Sequence, residues 1–449
     1  MQNSKRKNET RIAPRSMPPT SSARQAREAG FGVFGYTESA AHEALSSIKA
    51  KPDLVASAVA APALVVPKTR KKERVKRERE ALAKFDMPFF TIVIVLFSFG
   101  IVMMFSASYA YALNKHDDGY YFAQRQITFG VIGILLMLII SRINYEIMLK
   151  KWIIVIGAGI SIGLMVLTRL IGVETSGAMR WIEIGSITFQ PSELLKFAVI
   201  VVMAYWMHKK YDKKGKLKKN YLPVLGFLLV ACFFTALQRH LSGTIIIFII
   251  GFIVLFVGDC KVKDIVRTLI IFLVGGIVLI LIMRALGYDY MSERIAGWRN
   301  PEADIRDSTF QTYQSLIAIG SGGIFGLGLG NSRQKYAYLP ASHNDFIFSI
   351  ICEELGFVGA VLVILLFVMF VVRGFYIAVC ARNKFGMLLA VGITSQLGIQ
   401  ALLNIGVVTN AVPNTGISLP FFSYGGTALL MQLMSIGVVL NISRKAAIE

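Results

Sequence analysis

From residue 87 onward the chain alternates between long apolar runs and short polar connections. Ten apolar runs stand out, near 87–112, 122–140, 152–168, 188–207, 221–238, 242–258, 265–286, 345–372, 385–409 and 420–442. A membrane-spanning helix needs about 17–25 predominantly apolar residues, so most of these qualify by length alone. The fourth is the weakest, because Pro191, Glu193 and Lys196 fall in its first turns. The pattern predicts an all-α polytopic membrane protein with ten transmembrane helices. A large extracytoplasmic loop, 287–344, separates the seventh helix from the eighth. The expected domains are a tail (1–86), a ten-helix membrane domain (87–443) and a short C-terminus (444–449).

The first 86 residues break the pattern. They are rich in Pro, Ser, Ala and basic side chains, with no sustained helical period, which reads as a largely disordered segment. Its end, Lys68–Lys84, is a charge run suited to solvent or an anionic membrane surface. No apolar core of signal-peptide length follows the first basic residues.

Composition agrees with the pattern. Hydrophobic residues make up 55% of the 449 and charged ones only 17%, against about 25% charged in soluble domains. An ordinary soluble enzyme, a disordered chain and a disulfide scaffold are excluded. Cys232, Cys260, Cys352 and Cys380 are widely spaced and read as small buried residues.

The formal charge of +21 changes meaning once it is divided among the connections. Counted over alternate connections after the tail, eighteen Lys/Arg fall in one set and eleven in the other. The tail adds a further eighteen to the first set, which the positive-inside rule assigns to the cytoplasm. Both termini are then expected inside and the long loop outside. The charge reads as topology and contact with membrane lipids, and no nucleic-acid partner is expected. No P-loop, dinucleotide fingerprint or HExxH occurs. Chemistry at the outer face would need a substrate that arrives already activated and membrane-borne.

Few ionisable groups remain outside or within the membrane, and these are the candidates. His343 and Asp345 stand at the mouth of the eighth helix, after a glycine-rich run, 320–330. Asp345 has two readings: a helix cap, or a partly desolvated carboxylate with raised pKa acting as a general base. Glu193 and Lys196 share a helix face, either as a neutralising internal pair or as part of a site. Glu353 and Glu354 read as structural, accepting from backbone amides of a broken helix. The segment 177–193 brings Arg180, Trp181, Gln190 and Ser192 beside Glu193, and 236–244 brings Gln238, Arg239, His240 and Ser242. Arg294, Arg299, Arg333 and Lys335 lie in the long loop, and the uncharged segment 412–426 contributes Ser423. A lipid-linked diphosphate would match these cations, although one such arginine alone is as well explained by snorkelling to headgroups.

Three stretches, GAMRWIEIGSITFQPSE, GSGGIFGLGLGNSRQKYAYLPASHNDFIF with the following EELGF, and VPNTGISLPFFSYGG, together resemble the SEDS family (shape, elongation, division and sporulation). They fall in the family's order over roughly 88–443, and GLGNSRQKYAYLP looks more like the division and sporulation branch than the elongation branch. The resemblance implies a ten-helix, inverting peptidoglycan glycosyltransferase in the bacterial cytoplasmic membrane. It would polymerise lipid II at the outer face, with the division septum the expected location. Expected partners are a cognate class B penicillin-binding protein and other divisome membrane proteins. The family's essential aspartate matches Asp345, and its Glu and Lys after the Gln-Pro-Ser motif match Glu193 and Lys196. Arg180, Gln190, Ser192, Gln238, His240, Arg333, Lys335, His343 and Ser423 are expected to support substrate binding. No cofactor is marked; a divalent cation, Mg or Mn, is compatible with the task, but no ligand cluster identifies a site. Two departures stand out: Arg239 where the family has Pro, and Asn344 where it has Thr. The rival functions are a lipid II flippase or other transporter, a non-catalytic division scaffold, and an elongation or sporulation paralogue.

Overall fold

The computed structural model describes residues 85–175, 178–185, 187–209, 222–238, 240–285, 290–302, 309–336, 339–340 and 342–446. The tail to residue 84, the connection 210–221 and Arg239 lie outside the described residues, and so do the expectations placed on them.

Ten of the helices correspond to the ten apolar runs. They are α1 (Met87–His116), α2 (Tyr121–Ile140), α3 (Lys151–Ile171), α4 (Pro191–Lys209), α5 (Leu222–Leu237), α6 (Leu241–Val257), α7 (Val262–Ala285), α10 (Ile347–Val379), α11 (Lys384–Val408) and α12 (Gly426–Lys445). Among the described residues, six are long and apolar enough to cross a membrane: α1, α2, α3, α10, α11 and α12. Two shorter apolar helices, Pro223–Leu237 and Leu241–Val257, accompany them. The molecule is a polytopic α-helical membrane protein.

Local chemistry sets the helix ends. Asp86 caps α1, accepting from Phe89 N at 2.8 Å, with Pro88 in the first turn. The same carboxylate receives Arg373 of α10 (Nη2 to Oδ2, 2.8 Å), and Asp86 N donates to Ser443 Oγ of α12 at 3.1 Å. Asn383 caps α11 through Gly386 N.

α11 lies at the centre, against α10, α4, α6 and α12, and is buried along most of its length. α2 and α3 are peripheral and apolar all round, as expected where lipid replaces water. Because lipid tails are as apolar as Leu, close backbone approach drives helix association in membranes. Gly437 of α12 supplies such a contact, facing Met137 backbone of α2 at a distance that leaves no room for a Cβ.

The structure departs from the sequence reading in three places. First, the all-α expectation misses a small antiparallel sheet of β1 (Val173–Thr175), β2 (Ala178–Ile184) and β3 (Ile187–Phe189), in the order β1-β2-β3. The alternating, strand-favouring Met179–Ile184 and the turn at Gly185 (φ 62) account for it. Second, the long loop contains two helices, α8 (Tyr290–Arg299) and α9 (Phe310–Ser321). Third, α12 begins at Gly426 rather than near 420, which leaves 410–425 as an extended, turning segment.

α10 is bent at Gly356 (φ 66, ψ −163). The glycine-rich run packs into the bend and takes up the freed backbone groups. Leu327 N donates to Glu353 O and Gly328 N to Glu354 O, while Phe357 N donates to Gly323 O and Val358 N to Ile324 O. Gly326 lies so close to the Glu354 carbonyl that no side chain fits there.

Candidate active site

The turn 342–346 before α10 is held by hydrogen bonds to its backbone. Asn404 Nδ2 of α11 donates to Asp345 O (2.7 Å) and to Ile417 O (2.6 Å). Ser423 Oγ donates to Asn344 O at 2.7 Å, and Tyr424 N to His343 O at 2.9 Å. Gln126 of α2 closes the other side, with Nε2 donating to Ser423 O. The Asp345 carboxylate then opens onto a cavity of about 500 Å³ between the sheet, α4, α6, α8, α11 and the segment 410–425.

Arg180, Gln190, Glu193, Lys196, His240, Asp345 and Ser423 line this cavity together. Arg180 is carried in by β2, Glu193 and Lys196 by the first turns of α4, and His240 by the residue before α6. A Cβ added at Gly416 (φ 67) would lie 3.3 Å from Asp345 Oδ2 and 3.7 Å from Arg180 Nη1. The acid and the guanidinium therefore both crowd the space beside Gly416, where a side chain would stand.

Glu193 and Lys196 form a buried pair, Nζ to Oε1 at 2.7 Å. Lys196 Nζ also donates to Gln400 Oε1 (3.2 Å), and Gln400 Nε2 donates to Ser418 O (3.1 Å). The pair forms a braced floor, with the lysine charge already matched. Several buried polar atoms on the cavity wall make no protein hydrogen bond: Glu193 Oε2, His240 Nδ1, Ser242 Oγ and Asn344 Oδ1. Buried polar groups are normally satisfied, so a wall carrying four that are not is suited to a polar ligand.

Burial pushes the Asp345 carboxyl above its ordinary range, while Arg180 and then Arg294 pull it back. Burial, with Arg180 and Lys196, holds His240 well below the usual histidine range, as a neutral imidazole. Desolvation and Lys115 lower His343 to about 4. Among the described residues no group of three or more His, Cys, Asp or Glu side chains converges to hold a metal ion.

The other expected residues lie elsewhere. His343 packs against Tyr111 and Phe122, 4.9 Å from each ring. Gln238 ties α5 to α3 by donating to Met165 O at 2.9 Å. Ser192 is buried in the first turn of α4, outside the cavity lining. Lys335 and Arg333 belong to a separate cluster around Glu353 and Glu354. Lys335 Nζ meets Glu354 Oε1 at 2.9 Å, Ser332 N donates to Glu354 Oε1 at 3.3 Å and Arg333 N to Glu353 Oε1 at 2.9 Å. Glu353 and Glu354 thus accept from backbone amides of the long loop, whereas amides of their own helix were expected.

Sequence reasoning named Arg294 only as one of several loop cations, and it passed over Gln400, Asn404 and Gly416. A signal for two of them was present: Gln396, Gln400 and Asn404 recur every fourth residue, a polar stripe on an otherwise apolar helix.

Fold and cavity define a class: a polytopic helical membrane protein with a charged chamber of about 500 Å³ lined by loops at one end of the bundle. The chain belongs to the cell cycle protein family of FtsW, RodA and SpoVE, whose family model matches residues 87–448. It is 36% identical over 364 residues to the probable peptidoglycan glycosyltransferase FtsW of Geobacter sulfurreducens, covering 81% of this chain and 96% of the relative. It is 38% identical over 366 residues to stage V sporulation protein E of Bacillus subtilis, covering 80% and 97%. Among solved structures it resembles a chain of a peptidoglycan synthase complex that coordinates polymerization and crosslinking. That match has a TM-score of 0.64 and 25% identity, covering 82% of this chain and 99% of the other. The rod shape determining protein RodA of Thermus thermophilus shares the fold, with a TM-score of 0.59 at 24% identity and the same coverage.

Proposed function

We propose that this protein is a peptidoglycan glycosyltransferase that polymerises lipid II at the outer face of the cytoplasmic membrane. In this reading both termini are cytoplasmic, ten helices span the bilayer, and a class B penicillin-binding protein is the transpeptidase partner. The observation that carries the reading is Asp345, a carboxylate lining a polar chamber, with Arg180 beside it at Gly416.

The reaction uses these parts in order. Asp345 takes the proton from the acceptor sugar hydroxyl. The freed oxygen attacks the donor anomeric carbon from the face opposite the diphosphate, so configuration inverts. The carbon–oxygen bond to the polyprenyl diphosphate breaks, and the diphosphate leaves with the bonding electrons. Arg180 offsets the charge that develops on that leaving group. In this reading Lys196, held by its ion pair with Glu193, supports the chamber floor. Division is the favoured setting, and the sporulation relative keeps a spore-wall role as the alternative.

The test is polymerisation of lipid II by the purified protein with its partner transpeptidase, wild type against Asp345→Asn. Polymer from the wild type and none from the variant is expected. Full polymer length from Asp345→Asn would remove Asp345 from the mechanism. Lipid II transport without polymer would favour a flippase.

A further inference from the structure

We propose that Arg294 is a second binding residue for the diphosphate of the polyprenyl-linked donor, placed in the chamber by the docking of α8 onto the last loop. The inference rests on the glycosyltransferase reading and adds a subsite to it.

Arg294 does not belong to the helical bundle. It sits on α8, a ten-residue helix of the long loop, yet it lines the same chamber as Asp345. Two anchors on one face of α8 bring it there. Trp298 Nε1 donates to Asn410 O (3.0 Å), and Asn410 Nδ2 donates back to Trp298 O (3.2 Å). One turn earlier, Arg294 Nη1 donates to Asn414 O. Residues four apart face the same side of a helix, so one docked face delivers both contacts.

The chamber's charge pattern gives the guanidinium its task. The Lys196 charge is matched by Glu193, and His240 is neutral. Among the described residues, Arg180 and Arg294 are the cations that pull the Asp345 carboxyl back down. They come from different elements, β2 and α8, and both line the chamber. A guanidinium has five N–H donors in a planar fork, so it can hold Asn414 O and still meet a phosphate oxygen. One guanidinium suits one phosphate, and two lining one chamber suit a diphosphate. Trp298 then acts as a positioning residue, holding α8 so that Arg294 reaches the chamber.

The experiment uses the full-length protein in nanodiscs, with undecaprenyl diphosphate and undecaprenyl monophosphate as probes. Arg294→Gln is expected to weaken diphosphate binding about tenfold, the scale of one charge-assisted contact, with a smaller loss for the monophosphate. Arg294→Lys should keep part of the affinity, and Trp298→Phe should lower it through the lost Asn410 contact. A pH readout separates binding from scaffolding. Among the described residues, the charged and titratable groups lining the chamber with Asp345 are Arg180 and Glu183 on β2, Glu193 and Lys196 on α4, His240 before α6, Arg294 on α8 and Tyr424 of the last loop. Removing the Arg294 charge should move the acid limb of kcat/KM to higher pH.

A folded Arg294→Gln protein with unchanged diphosphate affinity would overturn the inference, as would equal losses for the two probes. If Arg294→Gln does not fold, the same comparison is made on Arg294→Lys, which keeps the charge but loses the planar fork, and there unchanged diphosphate affinity overturns it. Probe binding needs no polymerisation. A wild type that prefers the diphosphate but makes no polymer would sink the glycosyltransferase reading alone. A polymerising wild type with an indifferent Arg294→Gln variant would sink only this one.

Discussion

Lys335 Nζ lies 2.9 Å from Glu354 Oε1, with the lysine side chain 5% exposed and the glutamate fully buried. Ser106 Oγ of α1 reaches both Glu354 oxygens, at 2.8 and 2.7 Å, and Lys335 Nζ also donates to Gly330 O at 2.6 Å. The pair joins α1, the bent α10 and the glycine-rich loop at one point.

Removing one partner leaves the other charge buried and uncompensated, which costs about 3–5 kcal/mol. Lys335→Met should therefore lower the thermal unfolding temperature of the purified protein sharply. The double variant Lys335→Met with Glu354→Gln should recover much of the loss. Thermal melts of the two variants beside the wild type check this, and additive losses would show that the two side chains act independently.

Activity should depend on the Asp345 ionisation. A general base works deprotonated, and burial raises this carboxyl above its ordinary range. Polymerisation should therefore fall, as pH is lowered, at a higher pH than an unperturbed aspartate would give. The ionised form is also the one the fold disfavours. Asp345→Asn should thus be at least as stable as wild type at neutral pH, and its advantage should shrink as the wild-type acid becomes protonated. Rate–pH profiles and paired melts read out the two halves separately.

Gly416 is a position where a methyl group should be felt twice. Its φ of 67 is in the left-handed region, and a Cβ would sit 3.3 Å from Asp345 Oδ2. Strain of about 1–3 kcal/mol is expected for a non-glycine residue there. Gly416→Val should cut kcat more than Gly416→Ala, because its branches extend further toward the acid. Equal kcat values for the two would place the effect in the backbone alone.

His343 should set part of the acid sensitivity of the fold. Its folded pKa is lowered to about 4 from an ordinary 6.5. A depressed histidine favours the fold while neutral, so its contribution is complete above about 6.5 and is lost as pH falls toward 4. His343→Phe keeps a ring against Tyr111 and Phe122 and should flatten the loss of stability across that window. Unfolding temperatures measured from pH 7 to pH 4 would show it.

The ten helical segments were readable because long apolar runs leave little choice of structure. Asp345, Glu193 and Lys196 were readable for the complementary reason: a charge in an apolar field is costly, so its presence calls for an explanation. Partners were not readable. Arg333 and Lys335 looked like binders of phosphate by charge, but only the fold shows their loop pinned to Glu353 and Glu354, some twenty residues along the chain. Arg294 was one of several loop cations, and nothing in its neighbourhood announced Asn414, 120 positions away. The small sheet and the two loop helices were hidden because short elements draw their stability from what they dock against.

The bend at Gly356 divides α10 into a short limb that begins just after Asp345 and a long limb that runs on to Val379. The short limb is tied to the glycine-rich loop on its bent side and to the last loop at its mouth, while much of the long limb is exposed and apolar. Hydrophobic mismatch acts on the tilt of lipid-facing segments. The first residues of the long limb, Phe357 and Val358, are tied to the same loop, so a thicker or thinner bilayer would act on the exposed length beyond them. The turn that carries Asp345 would thereby keep its place while lipid composition varies.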